Sequence, residues 1–395
     1  MITAAMILVT AGCSNEVQPV ETNSASSVIG NLTAEVDSDN AELYNCSGKA
    51  LEYLEYIGNN LVNRSFDGSG SNNVHDKAQD WIVDELMNAG YTEDQIQREI
   101  FDIKWDENTN YTGCNIVLTV EGEDPSMQII AGAHYDGTGL GDNGSGTALL
   151  LANAVVLCGS QPHYTVKYIF FDGEEDGCLG SEYNASQMSK EEMDNTLYMI
   201  NLDSLAFGDY CNIYGGSYGE NGTPTDESQL LPPQATEAYD FAADTAETLG
   251  FKVMRTADLD GYYKEHGSGP EIEENTLYTN PWTPDNPAPS NYSAMSPSTL
   301  PASDHVGYMD RGIEYIYFEA TNWFAESEND EADAMSYTGY IETYDYDRGA
   351  HGMFMNTEYD TWENLNKYYP GRAEKHFKIY SPLLSALLYA APSNL

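Results

Sequence analysis

Basic side chains are scarce in this chain of 395 residues: 16 Lys and Arg stand against 64 Asp and Glu, for a formal net charge of −48. Such an acid excess repels phosphate backbones and anionic headgroups, so nucleic acid is not an expected partner. The apolar amino end, residues 1–12 (MITAAMILVTAG), is too short for a bilayer span, which takes roughly 20 residues. Cysteine is sparse, with six in the chain and no CxxC pair, so a thiolate zinc site is not indicated. Without Cys13 the count is odd, and no pairing can be deduced. There is no internal repeat. What the chain does have is core material: 41% hydrophobic residues, with 11 Phe, 5 Trp and 30 Tyr, which excludes wholesale disorder.

The amino end reads as a processing signal. Residues 1–12 carry no charge, and Ala11 and Gly12 before Cys13 resemble the lipobox of bacterial lipoproteins, where the signal is cut and the thiol lipidated. Thr10 stands where Leu is usual, and the first basic residue is Lys49, so the expected early Lys or Arg is missing. The expectation is an extracytoplasmic protein, attached to a membrane only through a lipid on Cys13 or otherwise secreted. Residues 13–40 are acidic, Ser- and Asn-rich and without periodicity, which predicts a disordered tether.

From residue 41 onward helical and strand patterns alternate. Leu51, Leu54, Ile57 and Leu61 recur at helical spacing, and HDKAQDWIVDELMNAG predicts a second helix closed by Gly90. Strands are predicted at 115–120, 128–133, 166–171, 197–202 and 314–319, and helices at 146–158, 234–249 and 371–390. This is the pattern of an α/β three-layer sandwich, with a mostly parallel central sheet and helices on both faces. One domain is expected over 41–395, with a Tyr-, Asn-, Pro- and Gly-rich insertion at 255–301 lying over one face.

Several strand ends present metal-ligand side chains: His134 and Asp136 in GAHYD, Asp142 in GDNGSG, Glu174 and Glu175 in FFDGEEDGCLGS, and Asp203 in INLDS. His305 follows in ASDHVGY. In open α/β sheets, sites form at the carboxyl ends of strands, so these groups can converge. Two His and three carboxylates suit two zinc ions if one carboxylate bridges. Two Zn²⁺, three carboxylates and one hydroxide sum to zero charge, which leaves Glu174 free to move a proton.

The succession HYD, DNGSG, FFDGEExGxxGS, NLD and SDH resembles the secreted di-zinc aminopeptidases of metallopeptidase family 28, across roughly residues 45–390. The resemblance implies that Asp142 bridges both ions, that Glu175 and His305 complete one, and that His134 and Asp203 complete the other. It further implies Glu174 as general base and Asp136 as the group orienting the His134 ring. The expected substrates are peptides with free amino termini. NTEYDTWENL (356–365) resembles the HTxxDTxE segment of the family, with Asn356 where a His is usual. Tyr262, Tyr263, Tyr278 and Tyr292 are candidates to assist the oxyanion, with no basis for choosing among them.

His75, His163, His266, His351 and His376 are expected to be structural, and Asp304 an orienting group. Cys178 lacks a partnering base and is expected to be structural as well. Two alternatives remain: a glutaminyl cyclase-like acyltransferase with one zinc, and a non-catalytic binding protein on the same fold. Oligomeric state, preferred amino-terminal side chain and physiological substrate are not readable from these residues.

Overall fold

The computed structural model describes residues 25–34, 44–65, 73–104, 110–208, 211–215, 237–255, 276–280, 303–321, 354–355 and 357–393. The signal at 1–12, Cys13, Asn356, His266, His351, and Tyr262, Tyr263 and Tyr292 lie outside them. Tyr278 is described by its backbone only.

The described strands are β1 (Leu32–Thr33), β2 (Ile96–Lys104), β3 (Asn110–Val120), β4 (Asp124–His134), β5 (Tyr164–Phe171), β6 (Thr196–Leu202), β7 (Asn212–Tyr214), β8 (Lys252–Arg255), β9 (Thr276–Asn280), β10 (Tyr315–Glu319) and β11 (Ala391–Pro392). The described helices are α1 (Ala25–Ile29), α2 (Ser47–Asn60), α3 (Asn73–Ala89), α4 (Gly144–Val156), α5 (Leu179–Gln187), α6 (Lys190–Asp194), α7 (Glu237–Thr248), α8 (Val306–Met309), α9 (Trp362–Tyr368) and α10 (Arg372–Leu388). Nine strands form one sheet in the order β2-β3-β5-β4-β6-β10-β7-β9-β8. The centre, β5-β4-β6-β10, is parallel; β2-β3, β3-β5 and β10-β7 are antiparallel.

Both faces of the sheet are covered, as the continuously apolar central strands require. Leu54, Ile57, Leu149, Leu151, Leu383 and Leu387 from α2, α4 and α10 bury Ile129, Tyr168 and Ile200 on one face. On the other, Ile130, Ile169, Phe171 and Met199 pack with Ala185 of α5 and Tyr308 of α8. The three-layer sandwich therefore stands.

Two expectations are corrected. The stretch read as disordered tether, 13–40, is folded in part: Ile29 of α1 is 1% exposed within the core, and β1 pairs antiparallel with β11. A short apolar turn that docks on the far end of the chain leaves no periodicity to read. The stretch read as an insertion over one face, 255–301, contributes β9, which lies within the sheet between β7 and β8. Its sequence, TLYTN, contains strand-favouring Thr and Tyr, but five residues without a longer apolar run do not stand out from the surrounding stretch.

Candidate metal centre

Strand register builds the site. His134 ends β4 opposite Phe171 of β5, and Gly132 pairs with Asn201 of β6. In a parallel ladder this brings Asp203, two residues beyond Asn201, level with His134 on the adjacent strand. Glu174 and Glu175 follow three and four residues after Phe171. Asp142 arrives from the loop before α4, which is tied to both neighbouring strands. Asn143 Nδ2 donates to Leu202 O at 2.8 Å, and Thr147 Oγ1 donates to His134 O at 2.7 Å.

His134 Nε2 lies 3.2 Å from Asp142 Oδ1, 3.5 Å from Asp203 Oδ1 and 3.7 Å from Glu174 Oε2. Ligands held roughly 2.0–2.1 Å from a tetrahedral ion sit about 3.3 Å apart, so this spacing fits one zinc. The donor atoms of His134, Glu174 and Asp203 all fall within 4.8 Å of one another. Both His134 ring nitrogens are buried without a hydrogen-bond partner, which is expensive unless a cation or proton satisfies the group. The residues present thus fit a bound metal.

The electrostatics agree with the geometry. Burial opposes a charged His134, but the Glu174 and Asp203 carboxylates outweigh it and hold its pKa well above the usual range. Burial, then the nearby Asp203 and Asp304 carboxylates, raise Glu174 well above an ordinary Glu, with His134 opposing. Burial and the Asp203 charge raise Asp142. For Asp203, burial is overcome by His134 and by hydrogen bonds from Ser303 and Ser204, and its pKa falls. Ser303 Oγ donates to Asp203 Oδ2 at 2.7 Å and accepts from Asn201 Nδ2 at 2.8 Å.

The remaining sequence-predicted residues are placed differently. Asp136 Oδ1 is 3.5 Å from His134 Nδ1, yet its hydrogen bonds come from the backbone N–H groups of Glu174 (3.1 Å) and Glu175 (3.4 Å). It therefore holds the GEE loop more firmly than the ring. Glu175 opens to solvent; partial enclosure, then the Asp142 charge, raise its pKa. Its Oε1 lies over Gly137 (φ +104°), 2.8 Å from where a Cβ would sit. His305 does not join the tight group. Its ring stacks on Tyr315 and Tyr317, with centroids at 4.5 and 4.9 Å, and burial lowers its pKa to about 4. Asp304 was expected to be an orienting group, but both its carboxylate oxygens are buried without a hydrogen-bond partner. Burial, with the Asp203 and Asp136 charges, pushes its pKa up to about 7 against the pull of His134.

Sequence reasoning missed Ser303 and two further supporting groups. Asp360, inside the quoted NTEYDTWENL segment, accepts from the N–H groups of Leu140 (2.9 Å), Gly141 (2.6 Å) and Asp142 (3.3 Å). Arg64 is 1% exposed and donates to the carbonyls of Tyr135, Leu61 and Gly139, each at 2.7 Å. The DT dipeptide was the available signal for Asp360. Nothing around Arg64 marks it. His75, expected to be structural, makes a 2.8 Å contact with buried Asp172.

A parallel-centred α/β sandwich whose strand ends aim a histidine and several carboxylates at one point defines a candidate metal-site domain. Residues 115–260 match the model of Peptidase family M28. It is 31% identical over 153 residues to the alkaline phosphatase isozyme conversion protein of Escherichia coli, covering 33% of this chain and 44% of that one. It is 31% identical over 151 residues to an aminopeptidase of Pseudomonas aeruginosa, covering 34% and 28%. The chain thus spans less than half the length of these relatives. Among solved structures, a Zn-dependent exopeptidase from Parabacteroides distasonis superposes with a TM-score of 0.51 at 15% identity, covering 87% of this chain and 97% of that one. A glutaminyl cyclase from Macrostomum lignano gives 0.56 at 14% identity, covering 92% and 98%.

Proposed function

We propose that this protein is a zinc aminopeptidase that hydrolyses amino-terminal residues from peptides with free amino ends. The observation that carries this reading is the His134 ring, buried without a hydrogen-bond partner and faced by Asp142, Asp203 and Glu174 at 3.2–3.7 Å. The match of residues 115–260 to Peptidase family M28 and the similarity to aminopeptidases support it. His134, Asp142 and Asp203 would hold the metal. Bound zinc supplies polarisation of the scissile carbonyl and acidifies water. Glu174 accepts the proton of the attacking water and returns it to the leaving amine, and its raised pKa suits both transfers. Asp136 fixes the backbone of Glu174 and so aims its carboxylate.

Two zinc ions per chain belong to the same proposal, with Asp142 shared and Glu175 beside it as a ligand of the second. His305 is the further candidate for that ion. Export, with a lipid on Cys13, is also proposed; no described helix is long and apolar enough to cross a membrane.

The test is hydrolysis of aminoacyl-arylamides by wild type and Glu174→Gln, each with and without chelator, alongside zinc content. Expected are two zincs per chain, chelator-sensitive turnover, and a variant that keeps its metal but is slower by roughly 10²–10⁴. Full activity of the variant overturns the role of Glu174. Activity only on blocked peptides overturns the aminopeptidase reading. A single bound zinc would favour a glutaminyl cyclase-like acyltransferase. One observation favours that second reading: the tight donor group holds ligands for one ion, while His305 stacks on tyrosines.

A further inference from the structure

The loop that presents Glu174 closes on itself. The backbone N–H groups of Gly177 and Cys178 both donate to Glu174 O at 2.8 Å. This turn leaves Cys178 at φ 56°, ψ 36°, the left-handed region, immediately before α5. A non-glycine residue is disfavoured there, and such strain persists where the surrounding structure over-determines it. The Cys178 side chain is placed accordingly: Sγ lies 3.6 Å from Glu174 Oε1, within reach of a thiol hydrogen bond. The other carboxylate oxygen, Oε2, is the one facing His134 Nε2. The two oxygens of Glu174 therefore have separate partners, the thiol behind and the metal group in front.

Burial, then the Glu174 and Asp304 charges, disfavour a thiolate at Cys178. Cys178 therefore stays S–H. Its one proton then has an acceptor in Glu174.

We propose that Cys178 is a positioning residue for the reaction: its S–H donates to Glu174 Oε1 and holds Oε2 towards the metal group. Glycine would relieve the backbone strain but would lack the hydrogen-bond donor. This inference rests on the assignment of Glu174 as base, and its test is arranged to separate the two.

The test compares Cys178→Ala, Cys178→Ser and Cys178→Gly. In arylamide hydrolysis, Ala lowers kcat 10- to 100-fold with KM and zinc content unchanged, and Ser, which keeps a donor, restores kcat to within a few-fold of wild type. Gly relieves the left-handed strain and raises the melting temperature, yet remains as slow as Ala. A purely structural role predicts the opposite order, with Gly at least as active as wild type; that result, or wild-type kcat in Ala, overturns the proposal. A second readout needs no turnover. The infrared difference spectrum of wild type minus Cys178→Ser isolates the Cys178 S–H stretch, which a hydrogen bond lowers in frequency. Glu174→Ala removes the acceptor and moves the band up. An unmoved band overturns the thiol–carboxylate bond, whereas a chain that shows the band shift but hydrolyses no arylamide overturns the aminopeptidase reading alone.

Discussion

Asp360 holds the backbone of Asp142 from 218 residues away, its Oδ2 accepting the Asp142 N–H at 3.3 Å while Oδ1 takes the N–H groups of Leu140 and Gly141. The carboxylate does for this loop what a helix cap does for a helix end: it satisfies several buried donors at once and fixes where Asp142 points.

Asp360→Ala leaves the buried N–H groups of Gly141 and Asp142 without an acceptor, while Leu140 N–H keeps the backbone carbonyl of residue 360. We expect a loss of about 2–5 kcal/mol of stability by denaturant unfolding, given the cost of unsatisfied buried donors. In chelator competition, metal affinity should fall roughly 10–100-fold, as for other groups that orient a ligand. Asp360→Asn, with half the acceptor set, should lie between. A variant that unfolds and binds metal as wild type does would contradict this role.

Ser303 should act on the metal through Asp203. Removing its hydroxyl in Ser303→Ala takes the 2.7 Å hydrogen bond from Asp203 Oδ2. Equilibrium dialysis should then show weaker zinc binding, by roughly 10-fold or more. Ser303 adopts φ 82°, so Ser303→Gly relieves backbone strain while losing the same bond. We expect Gly to match Ala in affinity but exceed it in melting temperature. Equal affinity in wild type and both variants would remove Ser303 from the site.

Gly137→Ala adds a methyl 2.8 Å from Glu175 Oε1 on a backbone at φ +104°. The strain alone should cost about 1–3 kcal/mol. Because Glu175 must move away, the variant should also bind fewer zinc ions per chain than wild type if Glu175 is a ligand. Unchanged stoichiometry in a folded variant would argue against Glu175 as one.

His376 supplies a pH dependence away from the metal group. Its Nδ1 lies 2.6 Å from Leu205 O, and burial, with Arg372 nearby, lowers its pKa from 6.5 to about 3. The fold therefore favours the neutral ring. Its contribution is fully present above pH 6.5 and is lost as pH falls from there towards 3, because the unfolded chain takes up the proton first. Chemical unfolding at a series of pH values should show His376→Gln with a shallower acid slope in that window. Parallel slopes for wild type and variant would exclude His376 as a contributor.

The placement of a candidate site residue was legible in the sequence wherever that residue is fixed by its own strand. His134 follows QIIAGA and Asp203 follows LYMINL, and a run that reads as a buried parallel strand delivers its next residue to the carboxyl edge of the sheet. Glu174 was legible for the same reason. His305 was harder to place, because its short helix says nothing about which way the ring turns, and packing on Tyr315 and Tyr317 determines that. Asp360, Ser303 and Arg64 act through backbone groups or other side chains distant in sequence, and such contacts leave no local periodicity.

The same division holds for the fold. Apolar runs and helical spacing determined by themselves that the centre would be a parallel sheet covered on both faces, since burial of those faces is a local property of the pattern. Tertiary structure alone decided that β9 joins the sheet from within the 255–301 stretch and that β1 leaves the tether to pair with β11. It also decided that the thiol of Cys178 meets Glu174. These depend on which surfaces meet after the chain has collapsed, and one polar strand or one sulfur finds its partner only when the larger burial has brought it there.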